Sequence, residues 1–282
     1  MTPEELDKAL EQLYFSAQSA SSEGLKEEAL RKCQEALQLL ETHGEETERH
    51  SFADFVMLTG DVYWGAGEYE EAYQAYHKVA LNDPERSDAR IAMGVALFHL
   101  CRFVASQTML EMASVDETED PETWYYLGLH ALRRGQRRAA MSHFETAHEL
   151  QDNRFFVPVE ISDEDIVGIV QHLLGDLPAE LHNALTNVPV IMEQSPSEEL
   201  LFSADPPLDP LVLGLFDGTP ITEMSSMDVV TSPTRIVLFL DNIWLLGYDR
   251  SVLEEELWIT LKHEIGHYFG LNEEELAERG LE

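Results

Sequence analysis

WYYLGLHALRRGQRRAAMSHFETA, residues 124–147, sets large and small side chains at helical offsets: Trp124, Leu127, Gly128 and Ala131, then Ala140, Phe144 and Ala147. The stretch breaks at Gly135 and so reads as two helices joined by a tight turn. It is also one of a series. Gly60, Gly94 and Gly128 stand 34 residues apart. Around Gly60 the matching places hold Tyr63, Ala72, Tyr76 and, further on, Pro84; around Gly94 they hold Met93, Leu97, Phe103, Leu110 and Ala113. A weaker, earlier copy uses Leu13, Ala17, Ala20, Gly24, Ala29, Cys33 and Ala36. The polar insertion THGEETERH, residues 42–50, separates it from the next copy and is expected to be a loop.

This pattern resembles the tetratricopeptide repeat, in which small residues let paired helices approach and large ones fill the gaps. Helical periodicity alone would also fit a generic bundle; two equal spacings of 34 argue against one. The resemblance implies an all-α solenoid of about four helix pairs over residues 1–153, whose concave face takes a protein partner. Arg133, Arg134, Arg137 and Arg138 lie around Gly135. They read as a solvated turn, with a grip on an acidic peptide as the alternative.

The charge balance excludes some partners. Fifty-four acids against 18 bases give a formal charge of −36. Residues 155–282 hold 25 acids and 4 bases, and residues 1–154 hold 29 and 14. Such a chain repels nucleic acid and anionic membrane surfaces. No uninterrupted apolar segment approaches the ~20 residues that span a bilayer. MTPEELDKAL has no basic segment ahead of an apolar run, so no secretory signal is expected. Cys33 and Cys101, each in helical pattern, read as buried thiols in a reducing compartment. The expected location is cytoplasmic.

After Gln151-Asp152-Asn153 the pattern changes. Ser162 followed by Asp163, Glu164 and Asp165 is a helix start, with Ile166, Ile169, Val170, Leu173 and Leu174 as one apolar face, ended by Gly175 and Pro178. A short helix over 179–185 and a strand over 188–192 come next. LVLGLFDGTPIT, residues 211–222, reads as strand and turn, and RIVLFLD, residues 235–241, as the clearest strand of the chain. A last helix is expected to start at a Ser251–Glu254 capping pair, to bury Leu253, Leu257, Leu261 and Ile265, and to stop at Gly270. The expected fold class is thus multidomain: the all-α solenoid over 1–153, then a compact α+β domain over 154–282.

The last helix carries the chemistry. KHEIGHYFGLNEEEL, residues 262–276, places His263, Glu264 and His267 in the pattern H-E-x-x-H. Histidines at i and i+4 share a helix face and can reach one ion. Zinc takes neutral imidazoles and a carboxylate, leaving a position open when the site is catalytic. Glu264 stands beside them, where it can take the proton of an attacking water as general base. A capped helix with two satisfied histidines is the alternative. Gly270, three after His267, permits a turn that brings Glu273 back toward the pair, with Glu274 and Glu275 as substitutes for it.

HEIGHYFGLNEEEL, with LPAELHNALTNVPVIMEQ (177–194) and LVLGLFDGTPIT, resembles the small bacterial zincin-like metallopeptidase family, over about residues 155–282. The resemblance implies a compact α+β zincin domain, one zinc per chain on His263 and His267, Glu264 as base, and Glu273 at the third-ligand position. Metzincins place a histidine or an aspartate there. They also have a methionine turn under the metal, and no methionine follows Met227. The other large zincin class takes its glutamate from a separate downstream helix, and only fifteen residues follow His267. In zincins an edge strand above the motif helix pairs with an extended peptide. RIVLFLD is the candidate, through the backbone of Leu238, Phe239 and Leu240; a simple buried strand is the alternative. The function expected is a zinc-dependent peptidase whose repeats recruit a protein substrate or partner. The competing reading is a non-catalytic scaffold with a silent or structural zincin domain.

Overall fold

The computed structural model describes residues 2–43, 50–116, 119–159, 161–222 and 234–280. By contacts the chain divides into two compact units, Met1–His130 and Ala131–Glu282.

The first unit is a run of helical hairpins. It holds α1 (Pro3–Ser22), α2 (Lys26–His43), α3 (Phe52–Gly65), α4 (Tyr69–Asn82), α5 (Ser87–His99), α6 (Phe103–Asp116) and most of α7 (Pro121–Arg133). No strand occurs among the described residues from 50 to 150. The starts reflect local chemistry. Thr2 with Glu5, and Ser51 with Asp54, form reciprocal capping boxes that satisfy the first free amides of α1 and α3. The repeat spacing has a packing cause: a Cβ on Gly60 would overlap the edge of the Tyr76 ring at Cε1, and one on Gly94 would stand 2.9 Å from Leu110 Cγ. Both sites are therefore closed to larger residues. The hairpin turns keep the same period, with left-handed backbone at Gly67, Cys101 and Gly135. Cys33 and Cys101 are buried thiols, not joined in a disulfide. Of the expected loop at 42–50, Thr42 and His43 belong to α2, and residues 44–49 lie outside the described residues.

The second unit opens with α8 (Arg137–Leu150), where the repeat pattern ends. Contacts group α8 with the α+β region on its C-terminal side, so the compact units part some twenty residues before the place where the sequence pattern changes. The cause is visible in side chains. Arg137 donates to Asp241, which is only 3% exposed, at 3.0 Å, and pairs with Asp163 at 2.6 Å. Ser195 and Gln194 also donate to Asp241, and the Phe144 ring lies 6.3 Å from that of Trp244. Arg137 is thus anchored, and Arg133 reaches the Pro196 carbonyl; Arg134, in the turn, and Arg138, in the first turn of α8, are exposed, so the four do not form one solvated cluster.

The rest is α+β: α9 (Asp163–Gly175), α10 (Ala179–Ala184) with a 3₁₀ turn Leu185–Asn187, β1 (Val190–Glu193), α11 (Glu198–Leu201), β2 (Gly214–Asp217), β3 (Arg235–Phe239), α12 (Leu240–Leu245), α13 (Arg250–Tyr268) and α14 (Glu273–Ala277). The described sheet has the order β1-β3-β2. β1 runs parallel to β3, with Met192 beside Leu238, and β2 runs antiparallel to it, with Gly214 beside Leu238. This corrects the expected substrate strand. Leu238 and Phe239 lie in the central strand, where both edges are paired, and Leu240 begins α12. Their backbone groups are spent on the sheet. Among the described residues the open edge beside α13 belongs to β2.

Candidate metal centre

α13 begins one residue before the expected cap. Asp249 is the N-cap, and its carboxylate accepts from the Ser251 amide and hydroxyl at 2.7 and 2.6 Å. An ionised carboxylate at the positive end of the helix displaces the Ser251–Glu254 pair. Glu254 bonds Arg250 instead, at 2.9 Å. The apolar stripe is as expected: Leu253, Leu257, Leu261 and Ile265 are buried. Burying that stripe turns His263 and His267 together toward a cleft of about 530 Å³ between α13 and β2.

Two glycines close the far side of this cleft. Gly270 has φ +83° and turns the chain directly after the helix. Gly266 leaves room for Leu276: a Cβ there would collide with the Leu276 side chain, which is fully buried. The turn and this contact dock α14 against α13, with Glu273 in its first turn. His263 Nε2 and His267 Nε2 are 3.0 Å apart, and the Glu273 carboxylate lies 3.7 and 3.2 Å from them. These are the one group of three or more His, Cys, Asp or Glu donors among the described residues that converges in this way.

Glu275 is committed elsewhere. Its carboxylate accepts from the Asn272 amide at 3.0 Å while its own amide donates to Asn272 Oδ1. In this capping box Glu275 faces the Asn272 amide and not the two histidines.

The donor set fits a zinc ion. Ligands about 2.0–2.1 Å from one tetrahedral centre stand roughly 3.3–3.4 Å from each other, and the three separations bracket that value. His267 Nδ1 lies 3.0 Å from the Leu271 carbonyl. A carbonyl only accepts, so Nδ1 carries the proton and Nε2 presents its lone pair to the shared point.

Glu264 sits deeper, 6% exposed. Its Oε2 accepts from the Phe216 amide of β2 at 2.6 Å. Burial pushes this carboxyl above the usual range, while the neighbouring His263 and His267 and the Phe216 amide pull it down; burial prevails. Asn242 of α12, itself buried, donates from its side-chain amide to the carbonyls of Pro210 and Val212 and fixes the segment entering β2. Thr222 packs against Gly270, and the Ile221 amide bonds the Tyr268 carbonyl. Sequence reasoning missed Phe216, Asn242 and Leu271. Backbone donors and acceptors carry no residue signature, but the Asn272–Glu275 box was open to a reader of N-x-x-E.

Residues 185–281 match the family model of the zincin-like metallopeptidases. Residues 63–128 match a tetratricopeptide repeat model. Solved structures similar to the chain include PilF of Pseudomonas aeruginosa, 21% identical with a TM-score of 0.43, covering 53% of this chain and 64% of that one. MamA is 16% identical with a TM-score of 0.41, over 63% of this chain and 86% of its own. YrrB, described as a TPR protein with an unusual peptide-binding site, is 14% identical at 0.39, over 53% and 73%. No curated protein matches the chain. The zincin-like match covers β1, β2, β3 and all four residues of the H-E-x-x-H…E constellation. No helix among the described residues is long and apolar enough to cross a membrane.

Proposed function

We propose that the second unit is a zinc-dependent peptidase, and that the repeats bind a protein substrate or partner. The observation that carries this reading is the convergence of His263, His267 and Glu273 beside the buried carboxylate of Glu264. His263 and His267 hold the metal through Nε2, and Glu273 supplies the anionic ligand. A zinc ion bound there supplies Lewis acidity, polarising a peptide carbonyl and easing the ionisation of a water. The protein does the rest. Glu264, one residue after the first histidine, accepts the proton of the attacking water and returns it to the leaving amine. Burial suits it to that exchange, because its neutral form is not prohibitively costly. The open edge of β2, in place of β3, takes an extended peptide through main-chain bonds, and the wall of Gly214, Leu215 and Phe216 presents it to the metal side of the cleft.

Two substitutions test this. Glu264→Gln keeps size and an acceptor oxygen but removes the base. It should retain one zinc per chain by elemental analysis and lose hydrolysis of a quenched peptide by about 10²–10⁴-fold. Glu273→Ala should weaken zinc binding first, with activity partly restored by excess metal. Release of zinc by Glu264→Gln, with retention by Glu273→Ala, would reverse the two assignments. A zinc-loaded parent that cleaves no peptide would favour the scaffold reading.

A further inference from the structure

The open edge of β2 makes an unusual commitment. In an antiparallel ladder, alternate residues turn their amide and carbonyl toward the partner strand, and the intervening ones turn them away. The Phe239 amide donates to the Leu213 carbonyl at 2.9 Å. With Leu215 beside Val237 and Asp217 beside Arg235, these residues continue that hydrogen-bonded set. Gly214 and Phe216, beside Leu238 and Ile236, therefore direct their amides and carbonyls away from β3, toward α13 and the cleft. The Phe216 amide is not left to solvent or to an incoming peptide: it donates to Glu264 Oε2 at 2.6 Å.

We infer that the main-chain amide of Phe216 is the positioning group for Glu264, tying the carboxylate of the motif helix to the same strand edge on which an extended substrate lies. One carboxylate oxygen is held, so the other is the one turned to reacting atoms. A Glu side chain has three rotatable bonds, and a charge-assisted bond of this length restrains the last of them. Glu264 and a peptide added to β2 then share one reference frame, which fixes the distance between base and scissile bond. The Phe216 ring lies 6.0 Å from that of Tyr268. The consequence for rate rests on the peptidase reading; the contact itself does not.

The test therefore has two readouts on the full chain. The first is hydrogen exchange of metal-stripped protein. As an outward-facing amide on a sheet edge, Phe216 has no ladder partner, so its protection depends on Glu264. Glu264→Ala should speed its exchange by about tenfold or more while the ladder amides of Leu215 and Asp217 change little. Glu264→Gln, which keeps an acceptor oxygen, should preserve most of the protection. A Phe216 amide that exchanges freely in the parent, or at the same rate in Glu264→Ala, overturns the inference.

The second readout is steady-state hydrolysis by zinc-loaded protein. Phe216→Pro removes this one N–H, at an edge position where proline costs no ladder bond. Phe216→Ala keeps the N–H and removes the ring. Proline should lower kcat by about tenfold or more relative to alanine, with KM and zinc content held; equal losses overturn the inference. If the proline variant does not fold, phenyllactate at position 216 makes the same deletion as an ester. If the parent hydrolyses nothing, the peptidase reading fails, and the exchange measurement alone decides whether Phe216 holds Glu264.

Discussion

Leu276→Ala should loosen the metal centre without touching a ligand. Leu276 is fully buried and fills the space above Gly266. Truncating such a leucine costs about 2–5 kcal/mol. α14 has five residues, far too few to be helical in isolation, so its order depends on this contact and on the Asn272–Glu275 box. The loss therefore falls on docking of the segment. At one decade per about 1.4 kcal/mol, a loss of about 3 kcal/mol lowers the docked-to-undocked ratio by about 100-fold. Zinc affinity scales with the fraction of molecules in which Glu273 is in place. For a five-residue segment docked in the parent at a ratio of about 1–10, the expected weakening is about 10–50-fold, approaching that of Glu273→Ala, with a much smaller change in the thermal midpoint. Competition with a chromogenic chelator measures the affinity, and hydrogen exchange over 272–278 reports the undocking. Undocked α14 with zinc affinity within threefold of the parent would refute the argument, because Glu273 would then contribute nothing to the grip.

Gly60→Ala drives a methyl into the Tyr76 ring, whose hydroxyl donates to Asp61 at 2.9 Å. Overpacking of this kind should cost about 1–3 kcal/mol, read as a lower helical melting midpoint for the first unit; an unchanged midpoint would mean that the hairpins are not closely packed there. The Asp54 carboxyl gives that unit a pH dependence. Burial alone would raise it, but bonds from the Ser51 amide and hydroxyl and from Arg86 outweigh burial and hold it below its usual range. A depressed carboxyl contributes stability that is fully present above its unfolded value near 3.9 and is lost as pH falls through the lower folded value. Asp54→Asn should thus destabilise by denaturant unfolding at pH 7 and converge on the parent in acid below that window; an equal gap at both pH values would show that charge is not the cause.

The repeats were legible because their constraint is local and recurrent: every 34 residues a small side chain meets a large one, as Gly60 meets Tyr76. The start at Ser162 and the stripe from Leu253 to Ile265 were legible for the same reason. Asp249 against Ser251 was a contest between two good caps, which sequence alone does not rank. The misplacement of the edge strand was avoidable. RIVLF is an unbroken apolar run after its arginine, and its last four residues are buried; a strand covered on both faces lies inside a sheet. What could not be read were the contacts made by peptide groups, such as Phe216 to Glu264 and Leu271 to His267, since any residue supplies an amide or a carbonyl.

The three converging donors lie within eleven consecutive residues, from His263 to Glu273, whereas the Phe216–Glu264 bond joins residues 48 apart. Loop closure for the first is short, and for the second it must wait until β2 has found β3. The local cluster and the Phe216–Glu264 bond thus differ in the loop that each must close. In the zinc-peptidase reading proposed above, the ion would need only α13, its turn and docked α14, whereas the base would also need β2 in place.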